Sequence, residues 1–345
     1  MKKSLIALAV LSGFAGVASA QSSVTIYGLV DLAVTKGNGG TAFNQGANAA
    51  SEAWQLKQSA SSRLGFRGNE DLGGGLSAQF QIEHRFTPDD GAANAIFWAG
   101  KSIVSLTSTA MGRVYLGRDY VPAFYVAVKS DPFGWDGVAQ MGGRQFAGFS
   151  SQVAGTAGAP SAASPASRTA NTVGYNTPNL SGFTAQAAVG LGEGTTGREA
   201  GINAEYAAGP VYVGLAYEKI TGGAASGAAL SANGDGSSLV NFAVHYNFGV
   251  IKPMFYYARS KLGVGNSSTD KFIQLGATAP IGAGKLKVAY GRFDPQGDNN
   301  TENKLGLGYD YFLSKRTNVY ADVGFAKQDT KTNNTAYAFG LKHTF

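Results

Sequence analysis

The sequence predicts an all-β fold, a 16-stranded antiparallel transmembrane β-barrel. Apolar and polar side chains alternate along most segments after residue 22, and turn signals recur between these segments. Sustained helical periodicity is not apparent in any segment. Because successive side chains of a strand point to opposite faces, each segment has one apolar and one polar face. The predicted sheet therefore separates lipid from water.

The clearest strands are predicted within residues 54–86, on either side of a glycine-rich turn at 68–75. One face of this hairpin is apolar and comprises Trp54, Leu56, Ala60, Leu64, Phe66, Leu76, Ala78, Phe80, Ile82 and Phe86. The other face is polar, and its charged members include Lys57, Arg63, Arg67, Glu83 and Arg85. A dry core would not accept so many large charged side chains.

The number of strands follows from the connections between them. Seven short turns alternate with eight longer polar or glycine-rich loops, which predicts sixteen strands. An even number is typical of bacterial outer-membrane barrels. The alternation places every long loop at one end of the barrel and every short turn at the other. The longest predicted loop spans residues 121–167.

The size of the barrel decides which face is wet. About eight strands enclose an interior that side chains can fill, whereas sixteen leave an aqueous channel. The apolar faces must then contact lipid, where an arginine at the bilayer midplane costs about 2–4 kcal/mol. Arg63 and Arg85 are therefore predicted to face the lumen.

The N-terminus indicates export. Lys2 and Lys3 precede an apolar run at 5–17, and Ala18-Ser19-Ala20 is typical of a signal-peptidase site. We expect residues 1–20 to be a signal peptide and residues 21–345 to form the barrel. The predicted location is the outer membrane of a Gram-negative bacterium, reached through the periplasm.

Composition excludes several classes of function. There is no cysteine, which excludes disulfides and thiolate chemistry. The formal net charge is +6 without a run of Lys or Arg, so no nucleic-acid partner is predicted. The three histidines are far apart and no nucleophile motif is visible, so we predict no metal, no cofactor and no enzymatic activity.

Several segments resemble general porins of Gram-negative outer membranes, of the trimeric β-proteobacterial type. The matching segments are SRLGFRG at 62–68, EDLGGGL at 70–76, VYLGRD at 114–119, DPFG at 131–134, YNTP at 175–178 and the terminal Phe345. The resemblance covers the whole predicted mature chain. It implies a homotrimer and a third external loop, here 121–167, that folds into the lumen and narrows it.

The resemblance also implies a constriction with a basic and an acidic side. Lumen phase and motif together give these candidates for the basic side: Lys57, Arg63, Arg85, Lys101, Arg113, Arg118 and Arg168. The candidates for the acidic side are Glu83, Asp131 and Asp136. The chain departs from the family at Gly100 and Gly174, where relatives often have arginines, so Lys101 and Arg168 are predicted replacements.

The predicted function is passive diffusion of small hydrophilic solutes and ions across the outer membrane. The excess of basic candidates predicts a weak preference for anions. One alternative is a substrate-selective channel that binds its solute on the aromatic residues of the long loop, Tyr120, Phe124, Tyr125, Phe133 and Trp135. A structural or adhesive surface barrel, with loops that contact a host or a phage, is the other.

Overall fold

The computed structural model describes residues 22–42, 51–149, 167–193, 197–221, 236–261, 268–297 and 300–345. The predicted signal peptide at 1–20 lies outside the described residues, and so do residues 150–166 of the long loop. Both assignments therefore stay predictions.

One closed antiparallel sheet forms the molecule. Its strands are β1 Ser23–Gly37, β2 Gln55–Lys57, β3 Arg63–Gly73, β4 Leu76–Thr87, β5 Ala92–Ala93, β6 Lys101–Ser108, β7 Gly112–Tyr120, β8 Arg168–Asn176, β9 Phe183–Gly190, β10 Arg198–Ala208, β11 Val211–Thr221, β12 Ser238–Tyr246, β13 Lys252–Lys261, β14 Thr269–Ile281, β15 Gly284–Asp294, β16 Glu302–Phe312, β17 Thr317–Gln328 and β18 Asn334–Thr344. Apart from the short β2 and β5, each strand spans eight residues or more. The barrel closes where β1 pairs with β18 on one side and with β3 on the other. The prediction of sixteen barrel strands is confirmed.

The two faces of the sheet differ as the alternation predicts. On β11, Leu215 and Tyr217 are exposed on the outside, while Ala216 and Glu218 are buried on the inside. The same contrast holds on most strands, because lipid is the solvent of the outer face. Short turns such as 209–210 and 282–283 alternate with long loops such as 121–167, which confirms the predicted topology.

The strand predicted at 54–67 is interrupted. Lys57 pairs with Ala33 and Arg63 pairs with Leu29, so the five residues at 58–62 face only three on β1. The backbone N–H of Ser59 donates to Asp31 Oδ1 at 2.8 Å instead of to a neighbouring strand. Side-chain acceptors of this kind compete with the hydrogen bonds of a sheet.

Two helices, α1 Pro122–Ser130 and α2 Gly142–Gln145, lie between β7 and β8, in a segment without sustained helical periodicity. Pro122 occupies the first turn of α1, where its missing N–H costs nothing. Most residues of α1 are buried, so the helix has no continuous polar stripe by which sequence could have revealed it. Within the described residues, neither helix is long and apolar enough to cross a membrane.

Both helices belong to a segment, residues 121–149, that we call the inner loop. It packs on the inward face of β10–β18, which we call the covered wall, and forms the largest apolar cluster of the molecule with it. Glycines let the backbones meet: a Cβ on Gly324 would lie 2.3 Å from the carbonyl oxygen of Val138. The inward face of β3, β4, β6 and β7 is the open wall.

Candidate functional site

Polar side chains of the covered wall hold the start of the inner loop. Glu218 Oε1 accepts a hydrogen bond of 2.7 Å from the backbone N–H of Ala123. Asn203 and Asn241 donate to the carbonyl oxygens of Pro122 and Ala123 at 2.8 and 2.9 Å. A carboxylate at a helix N-terminus is favourable because the free N–H groups there carry partial positive charge. These contacts fix where α1 enters the barrel.

The remainder of the inner loop is held in the same way. Gln274 Nε2 donates to the carbonyl oxygen of Ser130 at 2.6 Å. Arg144 makes a two-pronged ion pair with Glu302, with distances of 2.5 and 2.6 Å. Paired hydrogen bonds between a guanidinium and a carboxylate fix direction as well as distance. The inner loop is therefore tied down at both ends and in its middle.

Asp131 organises the inner loop from within. Its buried carboxylate accepts hydrogen bonds from the backbone N–H groups of Phe133, Trp135 and Met141 at 3.0, 3.2 and 2.9 Å. Burial raises the pKa of the Asp131 carboxyl, and the three N–H donors oppose that rise. The carboxylate of Asp131 therefore holds the turn of the inner loop, and it also lines the cavity that contains Asp136, so its assignment to the acidic side stays a prediction.

Asp136 is the acid that the inner loop presents to water. Its side chain is half-buried and shares a cavity with Lys252, Lys285 and Lys342 of β13, β15 and β18. Burial raises the pKa of the Asp136 carboxyl to about 7, although Lys342 and Arg63 lower it in part. The Asp136 carboxyl thus lies within the field of Arg63, and the assignment of the two residues to opposite sides of a constriction stays a prediction.

The lysines of this cavity were missed by sequence reasoning. Lys287 Nζ lies 2.8 Å from Asp310 Oδ1 and 3.1 Å from Asp322 Oδ1, and Lys285 lies 3.6 Å from Asp310. A signal was present, since Lys285 and Lys287 alternate with two outward apolar residues, Leu286 and Val288. The pattern within this strand could not show that the inner loop lies opposite these lysines.

On the open wall, Glu83 lies among the arginines. Its carboxylate is 2.5 Å from Arg85 Nη2 and 3.8 Å from Arg63 Nε, and it accepts a hydrogen bond of 3.2 Å from the Tyr27 hydroxyl. Arg63 and Arg85 are directly opposite each other on β3 and β4. The Glu83 carboxylate therefore offsets the repulsion of these two cations, and it lies on the same wall as the arginines.

Lys101 and Arg168 contact Asp119 and Tyr120, the two residues that precede the inner loop. Lys101 Nζ is 2.7 Å from the buried carboxylate of Asp119, and the Arg168 guanidinium lies 4.0 Å from the centre of the Tyr120 ring. Arg168 also donates a hydrogen bond to the Tyr120 hydroxyl, as Arg85 does at 3.2 Å. Arg168 and Arg85 thus share one acceptor, and Lys101 is in register with Glu83 on the neighbouring strand.

The other three basic candidates lie elsewhere. Arg113 donates to Asn176 Oδ1 at 3.1 and 3.3 Å near the short-turn end of the lumen. Arg118 Nε donates to the carbonyl oxygen of Ala99 at 3.2 Å, which anchors an external loop. Lys57 is half-buried on β2, in the same inward phase as Ala33.

The aromatic residues of the inner loop pack against one another. The rings of Tyr120 and Phe124 stack at 3.9 Å, and Trp135 meets Phe124 and Phe146 edge-on. Phe124 and Phe133 are buried. These rings stabilise the loop and do not form an open track for a solute. The described residues contain no group of three or more histidines and carboxylates that could hold a metal ion.

Comparison with known proteins gives the family. A family model described as Gram-negative porin matches residues 7–331. The chain is 36% identical over 358 residues to outer membrane porin protein 32 of Delftia acidovorans, covering 99% of this chain and 93% of that protein. It is 31% identical over 406 residues to an outer membrane porin protein of Bordetella pertussis, covering 100% of both chains.

Solved structures agree with the fold. An anion-selective porin from Comamonas acidovorans matches with a TM-score of 0.74 and 30% identity, covering 94% of this chain and 100% of that chain. OmpT of Vibrio cholerae matches with a TM-score of 0.69 at 15% identity, covering 95% and 99%, and supports the fold alone.

A closed sixteen-stranded barrel with an apolar exterior and a charged lumen defines a channel of the outer membrane. The chain belongs to the Gram-negative porin family. It is a passive channel for small hydrophilic solutes and ions in the outer membrane of a Gram-negative bacterium.

Proposed function

We propose that this porin is a general diffusion channel with a weak preference for anions, and that its narrowest section lies between the inner loop and the open wall. The observation that carries this proposal is an imbalance of exposure among the charged residues of the lumen. The acids are mostly withdrawn from water, and several basic side chains remain in contact with it.

The imbalance is visible around Asp136 and Arg63. The inward carboxylates Asp31, Glu83, Asp310 and Asp322 are all less than 9% exposed. The side chains of Arg63 and Lys285 are 33% and 40% exposed. Lys252, Lys342, Arg67 and Arg113 also reach the water of the lumen. A passing ion therefore meets more accessible positive than negative charge, which favours anions. The similarity to the anion-selective porin from Comamonas acidovorans supports the same assignment.

The ten predicted constriction residues have unequal parts in this proposal. Arg63, Arg85 and Glu83 form the charged cluster of the open wall, and Asp136 faces it from the inner loop. Lys101, Arg168 and Asp131 hold the loop in position. Lys57, Arg113 and Arg118 line or brace other parts of the channel. The segment 121–167 as a whole is the proposed constriction loop.

The proposed function also includes assembly as a homotrimer and export with removal of a signal peptide. A homotrimer is supported by the resemblance to trimeric β-proteobacterial porins, and cleavage after Ala20 by the pattern of the first twenty residues. Chemical crosslinking of the folded protein before denaturing electrophoresis tests the first, and N-terminal sequencing of protein from outer membranes tests the second.

Separate neutralisation of the two sides of the constriction tests the function. We expect Arg63→Ala to shift the reversal potential in a KCl gradient towards cations, and Asp136→Asn to shift it towards anions. Each permeability ratio should change by about fivefold or less, since one charge at contact distance in water contributes about 1 kcal/mol.

Arg316→Ala is the matched control, because this exposed arginine lies in the turn between β16 and β17, outside the lumen. It should leave the reversal potential unchanged. Cation selectivity of the unaltered protein, or shifts of the same sign for Arg63→Ala and Asp136→Asn, would contradict the proposal.

A further inference from the structure

The open wall carries a polar pocket that lies apart from the proposed constriction. It opens on β3, β4, β6 and β7 and has a volume of about 220 Å³. Its polar lining, which defines what we call the open-wall pocket, consists of Arg67, Asn69, Gln79, Gln81, Ser105 and Arg113. Arg67 lies four residues beyond Arg63 on β3, or about 14 Å along the strand towards the short turns. A solute therefore meets this pocket on the short-turn side of Arg63.

Strand register places the two arginines on either side of a row of amides and hydroxyls. This row consists of three residues directly opposite one another on adjacent strands, Asn69, Gln79 and Ser105. Arg67 is opposite Gln81 in the next inward row towards the long loops. Arg113 is opposite Thr107 in the next inward row towards the short turns. Because inward side chains of adjacent rows are neighbours, both guanidinium groups border the central row.

The two arginines of the pocket have no carboxylate partner among the described residues. Arg67 is exposed, and its guanidinium lies 5.6 Å from the centre of the Tyr27 ring. Arg113 donates to Asn176 through Nε and Nη2, which leaves its Nη1 donors available. The carboxylate of Glu83, on the same wall, is already paired with two other arginines. Because guanidinium groups bind carboxylates through paired, directional hydrogen bonds, the pocket favours an anion from solution.

The amides between the arginines are held in place and keep atoms available for a ligand. Gln79 Nε2 donates to Asn69 Oδ1 at 3.0 Å, and Gln81 Nε2 donates to the Tyr27 hydroxyl at 2.7 Å. Asn69 Nδ2, Gln81 Oε1 and the Ser105 hydroxyl have no hydrogen-bond partner among the residues that the structure describes. The pocket thus offers donors and acceptors together. A solute with hydroxyl groups, which both donate and accept, can use both kinds.

The volume of the pocket limits the size of the solute. A volume of about 220 Å³ equals that of about seven water molecules, at roughly 30 Å³ each. Pockets for drug-sized ligands are larger, at roughly 300–1,000 Å³. The open-wall pocket therefore suits one molecule of monosaccharide size and is too small for an oligosaccharide.

We propose that the open-wall pocket binds a sugar acid, a carboxylate of monosaccharide size that carries several hydroxyl groups. The guanidinium group of Arg67 or Arg113 binds the carboxylate through paired N–H donors. Asn69, Gln81 and Ser105 bind the hydroxyl groups. A simple carboxylate uses the arginines alone and a neutral polyol uses the amides alone, so each binds more weakly. This proposal rests on the proposed diffusion channel and adds a saturable site to it.

Inhibition of the chloride current by matched solutes tests the proposal. The probe is gluconate, added to single channels of the folded protein in KCl. Hexanoate has the same carbon chain without the hydroxyl groups, and glucitol has the hydroxyl groups without the charge. We expect gluconate to inhibit saturably, at concentrations about tenfold lower than either comparison solute. Arg67→Gln/Arg113→Gln should raise the half-inhibiting concentration of gluconate about tenfold or more, since hydrogen bonds to charged groups are lost. Gln81→Met should raise it about threefold and leave inhibition by hexanoate unchanged.

Lys252→Gln/Lys285→Gln is the matched control, because it removes two positive charges from the covered wall, outside the open-wall pocket. It should lower the anion preference but leave the ratio of the half-inhibiting concentrations of gluconate and hexanoate unchanged. Arg67→Lys/Arg113→Lys replaces the neutral pair if that pair does not fold, and it should still weaken inhibition by gluconate because ammonium groups lack paired donors. Equal inhibition by gluconate and hexanoate, or no effect of either arginine pair on gluconate, would overturn the proposal. Cation selectivity of the unaltered protein contradicts the proposed function instead, since the site is judged by the ratio alone.

Discussion

The covered wall and the open wall have the same strand geometry but different inward chemistry. On the covered wall many inward residues are small or apolar, such as Ala216, Ala243 and Gly306, and they pack against the inner loop. On the open wall the inward residues include Gln79, Gln81 and a cluster of charges, and they meet water. An inward position in this barrel is therefore dry or wet according to whether the inner loop reaches it.

This difference explains why the lumen is not simply polar. The inner loop brings its own apolar core into the barrel, so one part of the lumen is packed as a protein interior is. The charges that remain accessible are concentrated on the open wall and around Asp136. The loop thus sets both the width of the channel and the charges that a solute meets.

The largest expected effect comes from breaking the fold of the inner loop at Asp131. Asp131→Ala leaves three backbone N–H groups without this acceptor, and the two that are buried, those of Phe133 and Met141, cost roughly 1–3 kcal/mol each. We expect a lower free energy of unfolding in urea titrations, together with frequent closures in single-channel records. Asp90→Ala, which alters an exposed acid in another external loop, should change neither measurement. Quiet channels of normal stability from Asp131→Ala would contradict the role assigned to this carboxylate.

A smaller effect is expected from separating the loop from the covered wall. Gly324→Ala places a Cβ 2.3 Å from the carbonyl oxygen of Val138, a backbone atom that cannot rotate away. Overpacking of this kind costs about 1–3 kcal/mol, and the loop should shift. The predicted result is a changed and more variable single-channel conductance. Ser77→Val on the open wall is the control, since this half-buried residue belongs to a strand that does not pack against the inner loop, and the change removes one hydrogen bond, of 3.3 Å from Gln79 Nε2.

The smallest expected effect concerns pH. A carboxyl with a pKa of about 7 is charged above that pH and neutral below it, so Asp136 loses its negative charge as the pH falls. The lumen then becomes more positive, and anion preference should increase between pH 8 and pH 6 by less than the roughly fivefold limit set for complete removal of the Asp136 charge. The groups around Asp136 are Lys342, Arg63, Asp31 and Asp131, together with the lysines of the cavity.

Reversal potentials of the unaltered protein and of Asp136→Asn at both pH values measure the contribution of this carboxyl. The variant should show the larger anion preference already at pH 8 and a smaller step between the two values. An equal step in both proteins would assign the pH dependence to other groups.

Sequence reasoning was most successful where the signal is local. The outward phase of Leu215 and Tyr217, and the inward phase of Arg63 and Arg85, follow from alternation and are confirmed. It was wrong on the continuity of 54–67, because the interruption depends on an acceptor, Asp31, that lies more than twenty residues away. It also missed α1, whose apolar residues are buried on several sides by strands distant in sequence.

By itself, the sequence determined the barrel, its strand number and the side that faces lipid, because the period of two depends only on the geometry of each strand. The tertiary structure alone decided which acids are available to the channel. The Asp131 carboxylate accepts hydrogen bonds from backbone N–H groups of its own loop, and the Glu83 carboxylate pairs with two arginines. Asp136 faces lysines from β13, β15 and β18. These relations join residues of different strands or different parts of a loop, and no pattern within one strand encodes them.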